Sequence, residues 1–142
     1  MADIVVDASV VAKWYIPERH HEPARALRDG YFNGRHTLRA PAVLPFEVVN
    51  ALKYSGHYAG DRLVEASRTL PEYGIDLVPY HETGPVAEVA ADLDVPLYDA
   101  SYLALAQTTD ATVYTADSGL LEATDSSSVS ECSSHICDYT TH

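Results

Sequence analysis

The sequence predicts an α/β fold, with a mainly parallel central sheet of about five strands covered by helices on both faces. Short apolar, β-branched runs alternate with stretches of helical periodicity, the pattern of a sheet buried on both sides. The 142 residues match one domain with one core, for which about 100–200 residues is usual. No internal repeat or glycine-rich phosphate loop suggests another architecture. Residues 1–142 are therefore taken as a single domain.

The elements follow in order. "DIVVD" is a short apolar run closed by Asp7, a buried parallel strand, and "ASVVAKWYI" continues with helical spacing until Pro17 stops it. "EPARALRDG" is a second helix, with Pro23 in its first turn and Gly30 at its end. "HTLRAP" supplies a strand, "LPFEVVNALKYSGH" a helix, and "GDRLVEASRTLPEYG" another, antiparallel to it through a tight link at Gly60. "IDLVPY" is a strand, "GPVAEVAADLD" and "DASYLALAQTT" are helices, and "ATVYTAD" and "SSHICDYT" are the last two strands. The polar "DSSSVSECSS" between those strands reads as a flexible loop.

Net charge is −12, from 21 acidic against 9 basic residues, and Lys13 and Lys53 are the only lysines. With "QTTDAT" and "EATDSSS" in the loops, this composition points to adaptation to multimolar salt rather than to a cationic partner. There screening falls to about 3 Å at 1 M and surface repulsion is damped. In such salt the counterion-release drive is weak in any case, so acidity does not exclude a nucleic-acid substrate. No apolar run approaches the roughly 20 residues that span a bilayer, and the start lacks a basic export region, which places the chain in the cytoplasm, off the membrane. Cys132 and Cys137 match no zinc-ligand spacing and receive no role.

Most acids, among them Asp29, Glu65, Glu72, Glu88 and Asp92, fall on polar helix faces or in turns. Four do not. Asp7 ends "IVVD", Glu47 lies inside "PFEVVNAL", Asp99 opens "YDASYLALA" and Asp117 ends "TVYTAD". Asp99 can cap its helix, and Asp7 and Asp117 can cap the helices after their strands. Glu47 is harder to dismiss, since Phe46, Val48 and Val49 surround it, and Asn50 three residues on can orient it. Parallel sheets bind ligands outside the carboxyl ends of their strands, where strand order reverses. If the first and fourth strands are central neighbours, all four carboxylates converge there. Such a cluster must take up protons or a cation, and all-oxygen donors suit Mg²⁺ or Mn²⁺, which complete their shells with water and phosphate oxygens.

"IVVDASVVAKW", "FEVVNAL", "YDASYLALA" and "VYTAD" resemble, in order and separation, the four motifs of PIN-domain ribonucleases. The length resembles that of VapC-type toxins of toxin–antitoxin pairs, and the likeness runs from about Asp3 to Leu121. The resemblance implies a Rossmann-like parallel sheet and Mg²⁺- or Mn²⁺-dependent endonucleolytic cleavage of RNA. It carries metal-binding and catalytic roles onto Asp7, Glu47, Asp99 and Asp117, and supporting roles onto Ser9, Asn50 and Thr115. It also implies a homodimer and a cognate antitoxin that threads a segment over the acids. The acidic composition and the Ser-rich insertion depart from the pattern without touching the motifs.

Other chemistries are weaker. The "RHH" at 19–21 could support metal-free RNA cleavage, but it sits in a polar turn and reads as surface. Trp14 and Tyr15 could stack on a base, yet on a short apolar helix they read as core or dimer interface. An aspartyl-phosphate phosphatase or receiver domain also puts an Asp after its first strand. The phosphatase, however, needs Asp-x-Asp where this chain has "DAS", and both need a lysine after a late strand. A non-catalytic PIN-like scaffold and an RNA-processing factor remain as alternatives to a toxin.

Overall fold

The computed structural model describes residues 2–17, 21–79, 82–125 and 136–138. Arg19, His20, Cys132 and the Ser-rich stretch at 126–134 lie outside them. Five parallel strands, β1 (Ala2–Val6), β2 (His36–Pro41), β3 (Asp76–Val78), β4 (Thr112–Thr115) and β5 (Ile136–Asp138), form one sheet in the order β3-β2-β1-β4-β5. Seven helices join and cover them: α1 (Ala8–Ala12), α2 (His21–Phe32), α3 (Leu44–Tyr54), α4 (Asp61–Thr69), α5 (Gly84–Leu93), α6 (Leu97–Thr109) and α7 (Ser118–Asp125). This is the expected α/β sheet. The chain leaves β1 toward β2 on one side and returns to β4 on the other, so strand order reverses between β1 and β4.

The centre is apolar for the reason the run "IVV" suggests. β1 is hydrogen-bonded to β2 on one edge and β4 on the other, and Val5, Val6 and Val113 are fully buried. α6 is apolar all round, and every residue from Ala100 to Ala106 is buried, which ties it to the sheet through β1, β2 and β4. Edge strand β3 is short, and its Asp76 accepts a bond from Arg39 at 3.0 Å; that exposed pair adds little stability.

Several boundaries differ from expectation. The first helix stops at Ala12 instead of running to Pro17, because the amides of Lys13, Trp14 and Tyr15 turn back to carbonyls three residues earlier. That tightening turns Trp14 inward, 4 % exposed, where its indole N–H donates to the Ala24 carbonyl at 2.8 Å. Trp14 is thus core, packed on Tyr73 at 4.9 Å between centroids. The helix expected through Gly74 ends at Thr69, and Pro71, lacking an N–H, forces a 3₁₀ turn over Leu70–Tyr73. α7 is the helix expected to follow Asp117, in a stretch that the order of elements left unassigned between the strand "ATVYTAD" and the loop "DSSSVSECSS". α2 extends two residues past Gly30, which stays buried; a Cβ there would stand 2.7 Å from the ring of His36.

Leu103, fully buried in the middle of α6, offers a test of this core. Leu103→Ala should cost about 2–5 kcal/mol, measured by urea unfolding in molar KCl with the denaturant slope unchanged.

Candidate active site

Asp7 is the first residue beyond β1, and its amide bonds the Tyr114 carbonyl of β4 at 3.0 Å. The two central strands therefore deliver Asp7 and Thr115 to the same edge. Asp7 is only 6 % exposed, although it is an acid. It holds the N-cap position of α1 without capping it; instead its Oδ2 accepts hydrogen bonds from Ser9 Oγ and Thr115 Oγ1, each at 2.7 Å. Ser9 Oγ in turn accepts the Ala116 amide at 2.9 Å, and Thr115 Oγ1 accepts the Asp117 amide at 3.0 Å. A net of hydroxyls thus locks the Asp7 carboxylate to the strand end that precedes Asp117.

Asp117 does cap its helix. Its Oδ1 accepts the amides of Gly119 at 2.9 Å and Leu120 at 3.3 Å, which starts α7. Asp99 does not cap: α6 begins at Leu97 with Pro96 in the N-cap position, so Asp99 sits half-buried in the first turn. Glu47 occupies the matching first turn of α3 and is also half-buried. Both carboxylates benefit from the positive ends of their helices.

The four acids are close enough to govern one another's protonation. Burial, foremost, pushes the Asp7 carboxyl up from its ordinary value; the Thr115 and Ser9 hydroxyls oppose this, and the charge of Asp117 adds to it. Burial raises Glu47 as well, against the Tyr102 hydrogen bond and with the repulsion of Asp7 and Asp99. Asp99 is pushed up to about 6 by burial, then by Asp7 and Asp117. Every acid of the quartet is coupled to at least two others. By contrast Asp29, Glu65, Glu72, Glu88 and Asp92 are all exposed, as expected of surface acids.

The supporting residues divide. Ser9 and Thr115 touch Asp7 directly, but Asn50 is exposed, lines a groove with Leu44, Phe46 and Leu77, and makes no hydrogen bond to Glu47. The expectation that Asn50 orients Glu47 is corrected: the side chain that bonds Glu47 is Tyr102, from α6. The Tyr102 hydroxyl, fully buried, donates to Glu47 Oε1 at 2.7 Å, and burial with the nearby carboxylates holds its proton firmly in place. Sequence reading passed over Tyr102, although a tyrosine three residues after Asp99 in an otherwise apolar helix shares its face and needs a partner for its hydroxyl.

The donors are hard carboxylate oxygens, and the raised proton affinity of Asp7, Glu47 and Asp99 marks a concentration of negative charge, which fits a divalent cation. Among the described residues no three His, Cys, Asp or Glu side chains form a ready-made cage for a metal ion. Mg²⁺ needs no such cage, because it is commonly held by one or two carboxylates with water completing the shell.

A parallel sheet with four carboxylates gathered near its switch point defines an α/β protein with an acidic site. The chain belongs to the PIN-domain family, whose model matches residues 4–125. Two solved structures share the fold. PAE2754 from Pyrobaculum aerophilum is 23 % identical with a TM-score of 0.65, covering 86 % of this chain and 79 % of its own. FitAcB from Neisseria gonorrhoeae is 20 % identical with a TM-score of 0.64, covering 96 % and 97 %. Compared by sequence with curated proteins, the chain matches none. Among the described residues no helix is long and apolar enough to cross a membrane.

The Asp99 carboxyl, ordinarily near 3.8, titrates at about 6 in the folded chain. The folded state therefore binds this proton more tightly than the unfolded one. Its contribution to stability is complete below about 3.8 and lost as pH rises through about 6. In chelator, Asp99→Asn should melt on the order of a few degrees above wild type near pH 8, the gap closing near pH 4, by differential scanning fluorimetry. Thr115→Val removes one donor to Asp7, so the Asp7 pKa should climb further, read by carboxyl NMR titration. Manganese affinity should fall roughly 10- to 100-fold, read by calorimetry.

Proposed function

We propose that this chain is a Mg²⁺- or Mn²⁺-dependent endoribonuclease, the toxin of a type II toxin–antitoxin pair of the VapC kind. The observation that carries this reading is the quartet itself: Asp7, Glu47, Asp99 and Asp117, on four separate elements, brought to the switch point between β1 and β4. Residues 1–142 act as one PIN domain, with RNA as substrate, a cognate antitoxin as partner and a homodimer as the working form. The acidic surface suits the salt-rich cytoplasm of a halophile.

Asp7 and Asp99 would hold the principal cation, with Glu47 and Asp117 completing the pocket. When bound, Mg²⁺ or Mn²⁺ supplies the charge that polarises a phosphodiester and acidifies water. The chain's own residues do the rest. Ser9 and Thr115 fix the rotamer of Asp7, so its free oxygen keeps one direction. Tyr102 does the same for Glu47. Glu47, half-buried and reluctant to ionise, is suited to orient the attacking water and take its proton.

A non-catalytic PIN-like scaffold is the competing reading. Purified chain free of antitoxin, incubated with RNA and Mn²⁺ in molar KCl, separates the two. Wild type should cut, whereas Asp7→Asn and Asp99→Asn should each lose at least about 100-fold in rate while staying folded. Equal activity in all three would defeat the nuclease reading. Metal binding without cleavage by any would favour the scaffold.

A further inference from the structure

Lys13 and Tyr54 are far apart in sequence, yet the fold brings them to one cavity, and Lys53 precedes Tyr54 in the chain. Lys13, just past α1, and Tyr54, the last residue of α3, line a cavity of about 370 Å³ with Ile16, Ser55, Ser9 and Ala116. Lys53 lies over the Tyr54 ring, its Nζ 5.4 Å from the centroid. The cavity is one residue removed from the acids. Ser9 is the residue bonded to Asp7, and Ala116, whose amide bonds Ser9, precedes Asp117. Tyr54 is 75 % exposed, so its ring is not there to fill the core.

We propose that this cavity is a nucleotide subsite, in which Tyr54 stacks on one base of single-stranded RNA and Lys13 meets the phosphate next to the one at the carboxylates. The assignment rests on the nuclease reading for its substrate class and on this geometry for its place. A chain carrying −12 repels a polyanion over most of its surface, so strand binding needs cations where the backbone runs and contacts that salt does not weaken. Lys13 lines the cavity beside Ser9 and Ala116, on the flank of the acidic site. Stacking on an aromatic face is tolerant of base identity and survives molar salt, and a cation against the ring adds to it.

The test uses the full chain in chelator, so that binding is read without cleavage, with a short single-stranded RNA carrying 2-aminopurine as probe. Tyr54→Ala should weaken binding roughly 5- to 100-fold and abolish quenching of the fluorophore, while Tyr54→Phe should retain both. Lys13→Gln should lower the slope of log affinity against log salt by about 0.7, a readout that a merely structural lysine would leave unmoved. With Mn²⁺ restored, both variants should raise KM more than they lower kcat. Unchanged affinity in Tyr54→Ala beside intact cleavage would overturn the subsite and leave the nuclease reading standing. Tyr54-dependent binding by a chain that never cuts would do the reverse. A chain that binds no RNA overturns the subsite. So does a Tyr54→Ala variant that passes from dimer to monomer with RNA binding intact, since the face would then be an interface between copies.

Discussion

A carboxylate buried to 6 % exposure at the end of the central strand is the constraint around which the molecule is arranged. An ionised group so placed loses several kcal/mol of hydration unless hydrogen bonds or a cation replace it. The chain supplies two hydroxyls to one oxygen of Asp7, from Ser9 on the helix that follows and from Thr115 on the neighbouring strand. Those hydroxyls can meet only because β1 and β4 pair in parallel with Val6 opposite Tyr114. Strand pairing, hydroxyl net and acid therefore stand or fall together.

The other three acids are held with different degrees of freedom. α6 is buried throughout from Ala100 to Ala106, and Asp99 stands in the turn that leads into that buried stretch. Tyr102, one turn along the same helix, crosses to Glu47 and ties α3 to α6 through a buried hydrogen bond. Asp117 gives one oxygen to the start of α7, which sets the direction of its other oxygen. Rigid backbone thus substitutes for a preassembled cage, and the mutual repulsion of the quartet is the stored preference for a cation.

The surface acids have another origin. They are exposed, and their density tracks the whole composition rather than any one site. The switch-point acids are distinguished by where the backbone puts them, at strand ends and first helical turns beside apolar residues.

How much of this was legible depended on distance along the chain. The strand "HTLRAP" was read with the ends it has, and the four acids were singled out, because period and element boundaries are local properties of a few adjacent residues. Even so, α1 proved shorter, because the packing of Trp14 outweighed local periodicity, and α7 was foreshadowed only by the capping position of Asp117. Asn50 was chosen by helical spacing and by the family resemblance, and in the fold the side chain that bonds Glu47 is Tyr102, 55 residues away. Thr115 was noticed as a small polar neighbour, but that it steadies Asp7, 108 residues away, follows only from strand pairing. By itself the sequence determined the α/β order of elements and which carboxylates stand at their ends. Only the tertiary structure decided which side chains steady those carboxylates, since that depends on neighbours in space that no local pattern encodes.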